Sequence, residues 1–356
     1  MWLKHARKAR LPAAVVFADL RKAYYSVVVC LALGTLDTET ARGALFAQLA
    51  LGPDAEQRFQ RFRRGGYAHA AGMPPGLAKA IGEFHIAPHF VVQGGASYVQ
   101  HDVGTRPGNV LADLVFAFCF GEFYAELLDA LDAVGLLPTL SMKGHCLLPG
   151  PVVTETIAFR PPAYMDDFFV PVAALDADAL VAAVAAATRI ILRTAARFGL
   201  QLNLEAGKTE AVLAPRGPGT RHVKRRIFLD GGICVDGHIL CCAGRYNHLG
   251  TLATATGAEV QEIAARIISA RAAENAARRP ILMHRDYTHS TKVMVTGSLV
   301  YSRLFVASGL WEPLPRSTLR GLRTAYLSPL RRVLWRPLAI PTRGARQSRV
   351  RRPPRG

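Results

Sequence analysis

The sequence predicts an α+β protein in which helices pack on one face of an antiparallel sheet, followed by a basic helical region. Short apolar runs without a helical period, such as residues 13–20 and 168–172, are typical of buried strands. Asp236-Gly237 separates two strand-like triplets, which is a strong signal for a two-residue hairpin. Longer segments with apolar periodicity, such as residues 110–134, are typical of helices.

The chain divides into four predicted regions. Residues 1–11 are a basic N-terminal remnant with little structure, and residues 12–250 form the α+β region, with a helical insertion at about 33–103. Residues 251–340 form the basic helical region. Residues 341–356 form a basic tail that we expect to be disordered, because it has few apolar residues to bury.

Periodicity and turn residues place the remaining elements. The predicted helices cover about residues 38–64, 110–134, 179–198, 259–279 and 293–306. Alternation predicts hairpin arms at 90–92 and 97–99 and a strand at 200–204. The third helix follows a capping residue, Asp176 or Asp178, and ends at Gly199.

The net charge of +18 over 356 residues favours a polyanionic partner such as nucleic acid. No acidic residue follows Glu312, while arginines accumulate. The arginines before the tail alternate with Leu319, Leu322, Tyr326, Leu330 and Leu334. This spacing predicts a helix with an arginine face that binds phosphates.

The cysteine spacing and the N-terminus indicate an intracellular protein, in the nucleus or the cytoplasm. The six cysteines show no secreted disulfide framework, and the first residues lack the apolar core of a signal peptide. The apolar stretch 110–120 is interrupted by Asp113 and is too short to cross a bilayer. We therefore expect neither secretion nor a membrane partner.

Three carboxylates are the candidate catalytic groups. Asp166 and Asp167 lie in a short apolar segment that predicts a buried strand turning at this pair and returning through residues 168–172. Neighbouring carboxylates repel and are costly to desolvate, so they need a partner, most commonly a divalent cation. Asp19 ends the first apolar run and is the candidate third acid. The alternative for each site is an ordinary capped turn.

The order of these segments resembles the palm of reverse transcriptases, and the combination looks most like the polymerase of non-LTR retrotransposons, over roughly residues 12–335. The segments that resemble the family's motifs A to E are, in order, residues 17–27, 104–113, 164–167, 199–203 with 207–209, and 246–250. The resemblance implies a right-hand polymerase, with residues 12–250 as palm, an insertion resembling fingers, and residues 251–340 as a helical thumb.

The resemblance also implies the chemistry and the site residues. Two Mg²⁺ ions, or Mn²⁺, would support deoxynucleotide addition to a primer, with Asp19 and Asp166 bridging the ions, Asp167 adding charge, and Lys208 as a proton donor. The implied nucleotide-binding residues are Leu20, Arg21, Lys22, Ala23, Tyr24, Arg106, Pro107 and Gly108. The implied primer-contacting residues are Tyr164, Met165, His248, Leu249 and Gly250.

The implied partners are an RNA template, a DNA primer or RNA–DNA duplex, and deoxynucleoside triphosphates, while protein partners stay open. Tyr24 stands where the family carries an aromatic gate that favours deoxynucleotides. The chain departs from the family pattern at Tyr25, Pro107 and Asn109, and few residues precede the first motif. Two alternatives remain: an inactive nucleic-acid-binding remnant of a retroelement, and an RNA-directed RNA polymerase or maturase-like protein.

Two other sites compete for residues of this region. Residues 207–209 invite comparison with a phosphate-binding P-loop, but Leu202 stands where that motif needs glycine. A zinc site is the second alternative, with ligands from Cys234, His238, Cys241, Cys242 and His248. The spacing of these residues does not match a zinc finger or knuckle.

Overall fold

The computed structural model describes residues 2–22, 43, 47, 66–85, 89–91, 98–100, 110–144, 153–311 and 313–334. The chain divides into two compact units after Gly257. The first unit is α+β, as predicted, and the described part of the second unit is helical. The predicted helix at 38–64 and the predicted tail at 341–356 lie outside this description, apart from residues 43 and 47.

The elements of the first unit are numbered here in chain order. Its strands are β1 (Ala13–Ala18), β2 (His89–Val91), β3 (Tyr98–Gln100), β4 (Thr139–Gly144), β5 (Val153–Ala158), β6 (Phe168–Ala173), β7 (Glu210–Ala214), β8 (Ile233–Val235), β9 (His238–Ala243), β10 (Arg245–His248) and β11 (Thr251–Thr254). Its helices are α1 (Trp2–Lys8), α2 (Gly66–Ala70), α3 (Pro75–His85), α4 (Val110–Ala133), α5 (Ala177–Arg197) and α6 (Thr220–Asp230).

The main sheet has the strand order β6-β1-β7-β9-β8. Strand β1 pairs antiparallel with both β6 and β7, and all six of its residues are buried. The side chains of β1 alternate between two cores, as a strand requires. Val16 faces α4 and α5, whereas Val15 and Phe17 face the core on the opposite side of the sheet.

Helix α5 shows how the sequence specifies the helical face of the sheet. The Asp176 carboxylate accepts a hydrogen bond from the Ala179 backbone N–H at 2.7 Å and caps the helix, as predicted. Leu180, Val184 and Ile191 lie on one side of the helix and are fully buried. By length and composition alone α5 could cross a membrane, but this side packs on the sheet.

The main sheet is mixed, whereas the sequence predicted an antiparallel one: three of its four strand pairings are antiparallel. Strands β7 and β9 pair in parallel. The cause is α6, which lies in the chain between β7 and the β8–β9 hairpin and provides the crossover that parallel strands need. The hairpin itself is confirmed: Asp236 and Gly237 both have positive φ, at 49° and 83°.

Residues 1–11 also differ from the prediction, because α1 is folded against the sheet. Trp2 is 5% exposed, and its indole N–H donates to the backbone oxygens of Ala14 at 3.1 Å and Val172 at 3.3 Å. Trp2, whose polar N–H is satisfied, packs on the sheet together with the buried Leu3 and Ala6 and so holds this short basic helix in place.

Two predicted strands reduce to single bridges. Residues 200–204 contribute only the bridge from Leu202 to Leu20. The segment before Asp166 contributes only the bridge from Tyr164 to Asp167. Its preceding residues, Pro161-Pro162, have no backbone N–H to donate to a ladder. The predicted hairpin at 90–99 is present as β2 and β3, with Phe90 opposite Val99.

The described second unit is built around two long helices, α7 (Glu259–Ala277) and α10 (Arg316–Leu334). Between them lie α8 (His289–Val295) and α9 (Ser302–Leu304), together with π-helical turns at Arg278–Leu282 and Thr296–Tyr301 and a 3₁₀ turn at Ser308–Leu310. Its main core contains Ala270, Ala273, Val300, Leu304 and Ala325.

The buried side of α10 is not the predicted one. Ala325, Pro329 and Val333 are buried, whereas Leu319 and Leu334 are exposed. Small residues allow α10 to approach α7 closely. Arg332, predicted to be a phosphate ligand, instead pairs with the buried Glu274 carboxylate at 2.7 Å. Arg316, Arg320, Arg323 and Arg331 are exposed.

Candidate active site

Asp19 is the first residue after β1, and the loop before β7 fixes its backbone. The Asp19 backbone N–H donates to the Thr209 hydroxyl at 3.1 Å, and this hydroxyl donates to the Asp19 backbone carbonyl oxygen at 3.3 Å. The same oxygen accepts a hydrogen bond from the Asn203 N–H at 2.8 Å. Thr209 is fully buried. The backbone is therefore paired on both sides, and the carboxylate stays available at the end of the sheet.

Asp166 lies at the tip of a two-residue turn. Tyr164 and Asp167 exchange both backbone hydrogen bonds, at 2.9 and 3.0 Å, around Met165 and Asp166. Met165 has φ of 53°, a left-handed conformation that costs a non-glycine residue about 1–2 kcal/mol. The turn predicted at the acidic pair thus has one acid at its tip and one, Asp167, in its returning arm.

The register of the sheet brings the three carboxylates to the same end. Ala18 lies opposite Phe168, so Asp19 and Asp167 are the next residues on adjacent strands. Burial raises the pKa of Asp166, and the charges of Asp167 and Asp19 raise it further, against the opposing effects of its own backbone N–H and of Lys208. The three acids therefore share one electrostatic environment.

Lys208 supplies positive charge beside Asp19. Its Nζ lies 3.6 Å from Asp19 Oδ1, and the lysine side chain is half exposed. The Glu210 carboxylate accepts a hydrogen bond from the Gly207 N–H at 2.7 Å, and the Tyr246 hydroxyl donates to the Lys208 backbone oxygen at 2.6 Å. The loop that carries Lys208 is thus bound to both β7 and β10.

Aromatic rings support the site from the side of the sheet opposite α5. The Tyr246 ring stacks on Phe17 with centroids 4.5 Å apart, and His248 lies 5.1 Å from Phe17 and 5.5 Å from Phe169. Burial, with the charges of Asp19 and other nearby carboxylates, raises the pKa of Tyr246 to about 12. Burial lowers the pKa of His248, although the charge of nearby Asp167 opposes this. Both side chains are therefore neutral at neutral pH.

The turn between β10 and β11 presents Leu249 and Gly250. Both residues have positive φ, at 48° and 74°, as a two-residue hairpin turn of this class requires. Leu249 is 50% exposed, and at the acidic turn Tyr164 and Met165 are 64% and 39% exposed. These side chains are accessible to a ligand.

The other predicted nucleotide-binding residues are only partly described. Leu20 is buried in the core that faces α4 and α5, while Arg21 and Lys22 are exposed. Ala23, Tyr24, Arg106, Pro107 and Gly108 lie outside the described residues.

The structure gives positioning contacts to three residues of the fourth and fifth motif segments that the sequence did not indicate: those of Thr209, Asn203 and Tyr246. Thr209 is 190 positions from Asp19, so its hydrogen bond leaves no local pattern. Tyr246 was part of the fifth motif segment, but nothing in that segment predicts that its hydroxyl binds the Lys208 backbone. Asn203 acts through its backbone N–H, which any residue except proline would supply.

The donor set suits a hard divalent cation, because it consists of carboxylate oxygens with a mutual charge conflict that a cation would relieve. Within the described residues, however, no three acidic, histidine or cysteine side chains are already grouped to hold a metal ion. The backbones of Asp19, Asp166 and Asp167 are fixed close together, and the side chains would have to converge on an ion.

Comparison of the chain with protein-family models gives no match, and comparison with curated protein sequences gives none either.

Proposed function

We propose that the protein is an RNA-directed DNA polymerase that extends a primer 3′-hydroxyl with deoxynucleotides, with a palm in the first unit and a thumb in the second. The observation that supports this most directly is the meeting of Asp19 with Asp166-Asp167 at one end of β1 and β6, beside Lys208. Two-metal phosphoryl transfer needs such a set of carboxylates on rigid backbone.

In this proposal Asp19 and Asp166 hold Mg²⁺ or Mn²⁺, and Asp167 adds negative charge. The metal, when bound, stabilises charge on the attacking and leaving oxygens. Lys208 is half exposed beside Asp19, where it can donate a proton to the departing pyrophosphate. Tyr246 and Glu210 hold the Lys208 loop in place through the two hydrogen bonds described above.

The second unit supplies charge for the template and primer. Arg316, Arg320, Arg323 and Arg331 are exposed on α10, and within the described residues none forms an ion pair. In the proposed function they contact phosphates without reading sequence, so binding should weaken steeply with salt.

Primer extension by the purified chain tests the proposal. With Mg²⁺, an RNA template and a DNA primer, we expect extension with deoxynucleotides, and loss of at least about a hundredfold in Asp166→Ala. Asp236→Ala is the matched control, because Asp236 lies in another two-residue turn, between β8 and β9, where it pairs with Arg189 of α5.

Each outcome separates the competing functions. Extension with ribonucleotides in preference to deoxynucleotides would indicate an RNA-directed RNA polymerase or maturase-like protein. Duplex binding without any extension would indicate the inactive remnant. Activity that survives Asp166→Ala would refute the assigned carboxylates.

A further inference from the structure

Helix α6 has a large exposed face that the proposed polymerase chemistry does not use. The helix has 11 residues, of which Val223 is fully buried and Ile227 is half-buried. These two residues, four apart, form the narrow apolar side that packs towards α5. Beside it, Arg226 pairs with Asp178 at 3.6 Å. The remainder of the helix surface faces away from the protein.

The exposed face carries a cluster of cations. Arg221, Lys224 and Arg225 are exposed and lie at spacings of three and four residues, so they share one side of the helix. Within the described part of the chain, none of the three forms an ion pair. The only acid in the helix is Asp230, its last residue. The charge of this face is therefore not neutralised by its own surroundings.

The same side of the helix ends in an exposed aromatic residue. Phe228 is 84% exposed and follows Lys224 by four positions and Arg225 by three. Its neighbour Leu229 is 69% exposed. Burial of a phenylalanine is favourable, so a phenyl ring left exposed beside three cations suits a ligand that offers both negative charge and a stacking surface.

We infer that this face of α6, formed by Arg221, Lys224, Arg225 and Phe228, binds single-stranded nucleic acid. Cations spaced along a helix neutralise successive phosphates, and an exposed phenyl ring stacks on an unpaired base. A duplex keeps its bases stacked inside and cannot offer one to Phe228. An anionic membrane would engage the cations, but a surface with two adjacent apolar residues at one end gives little area to insert.

The start of this helix lies at the end of the sheet away from the carboxylate site, and its last residues lead into β8, whose first residue lies opposite Leu240. Strand β7 begins beside Phe17, at the end of the sheet near Asp19, and finishes beside Ala13 at the other end. Helix α6 follows β7, so it starts away from the carboxylates. The inference does not depend on catalysis, because a strand bound here need not reach the active site.

Binding measurements on the full chain test this inference. The probes are a 20-nucleotide oligouridine, the corresponding DNA, and a blunt RNA–DNA duplex, each titrated over a range of salt with chelator present. The variants are Arg221→Ala/Lys224→Ala/Arg225→Ala and, separately, Phe228→Ala. Because chelator removes divalent ions, the result does not depend on whether the protein polymerises.

We expect the triple variant to reduce the slope of log affinity against log salt by about 2 for single strands, since each phosphate contact contributes about 0.7. Phe228→Ala should weaken single-strand binding about tenfold, with little change in salt slope, because stacking is not ionic. Duplex binding should change less in both variants. Equal effects on RNA and DNA would indicate stacking and phosphate contacts alone, and a larger effect on RNA would add a 2′-hydroxyl contact.

The matched controls are Lys79→Ala/Arg285→Ala/Arg303→Ala, which removes three exposed cations elsewhere, and Leu175→Ala, which removes an apolar side chain that is 96% exposed. An unchanged salt slope in the α6 triple variant, or an equal loss in the charge control, would overturn the inference. The inference would also be overturned if Phe228→Ala weakened binding to phosphatidylserine vesicles but left single-strand binding unchanged.

Discussion

The hydroxyl of Thr209 gives the sharpest test of how the site is held. In Thr209→Val the side-chain shape is nearly kept, but the part-buried Asp19 N–H loses its hydrogen-bond acceptor, the hydroxyl of the fully buried Thr209. The Asp19 backbone carbonyl oxygen keeps the hydrogen bond that the Asn203 backbone N–H donates. An orphaned buried donor costs about 1–3 kcal/mol, so we expect the free energy of unfolding to fall by that amount in a urea titration followed by circular dichroism.

Thr188→Val is the matched control, because Thr188 is equally buried but its hydroxyl donates to Val184 O within α5. That oxygen already accepts the helical backbone bond, so the control should lose about 1 kcal/mol or less. If the polymerase proposal holds, Thr209→Val should also slow extension, since a shift of about 1 Å in a catalytic group can cost about a hundredfold. Equal destabilisation by both variants would refute the reasoning.

Two further predictions concern charges and loops around the carboxylates. Tyr246→Phe removes the hydrogen bond to the Lys208 backbone oxygen but keeps the ring, so the rate of primer extension should fall while the free energy of unfolding changes little. Tyr301→Phe is the control: it loses a similar hydrogen bond in the second unit and should leave the rate of extension unchanged. The pKa of Asp166 is raised by folding, so the folded state keeps a proton that the unfolded state releases, and stability falls as pH rises through that window. Asp166→Asn should therefore gain stability relative to wild type as pH rises above the ordinary aspartate pKa of about 4. Added Mg²⁺ should raise the unfolding temperature of the wild type only. Identical pH profiles of the two proteins would contradict this.

Local signals predicted much of the fold. The short apolar run predicted β1, and helical periodicity predicted α4 and α5, each to within about two residues at either end. The Asp236-Gly237 turn followed from the positive φ that both positions require. These features depend on residues within a few positions of one another. Asp19 and Asp167 lie side by side because both border apolar strands that pair antiparallel.

Long-range pairing was not predictable in the same way. The parallel contact of β7 with β9 depends on a crossover helix, α6, which the sequence analysis did not predict, because its mostly basic sequence has only two apolar residues that face inward. Trp2 fixes α1 by donating to backbone oxygens of two different strands. Hydrogen bonds to backbone oxygens leave no pattern in the sequence. Tertiary packing decided these features.

The carboxylate site is held by backbone bonds that do not depend on charge. Asp19 is fixed by Thr209 and Asn203, and Asp167 by its paired bonds with Tyr164. If the side chains had to position one another, repulsion among three acids would separate them whenever no cation was present. Because each backbone is held by a different loop or turn, the repulsion falls on side-chain rotamers and on the pKa of Asp166 instead. The site can therefore keep its carboxylates close together without a cation. The repulsion lowers the free energy of unfolding, and a bound cation would restore it.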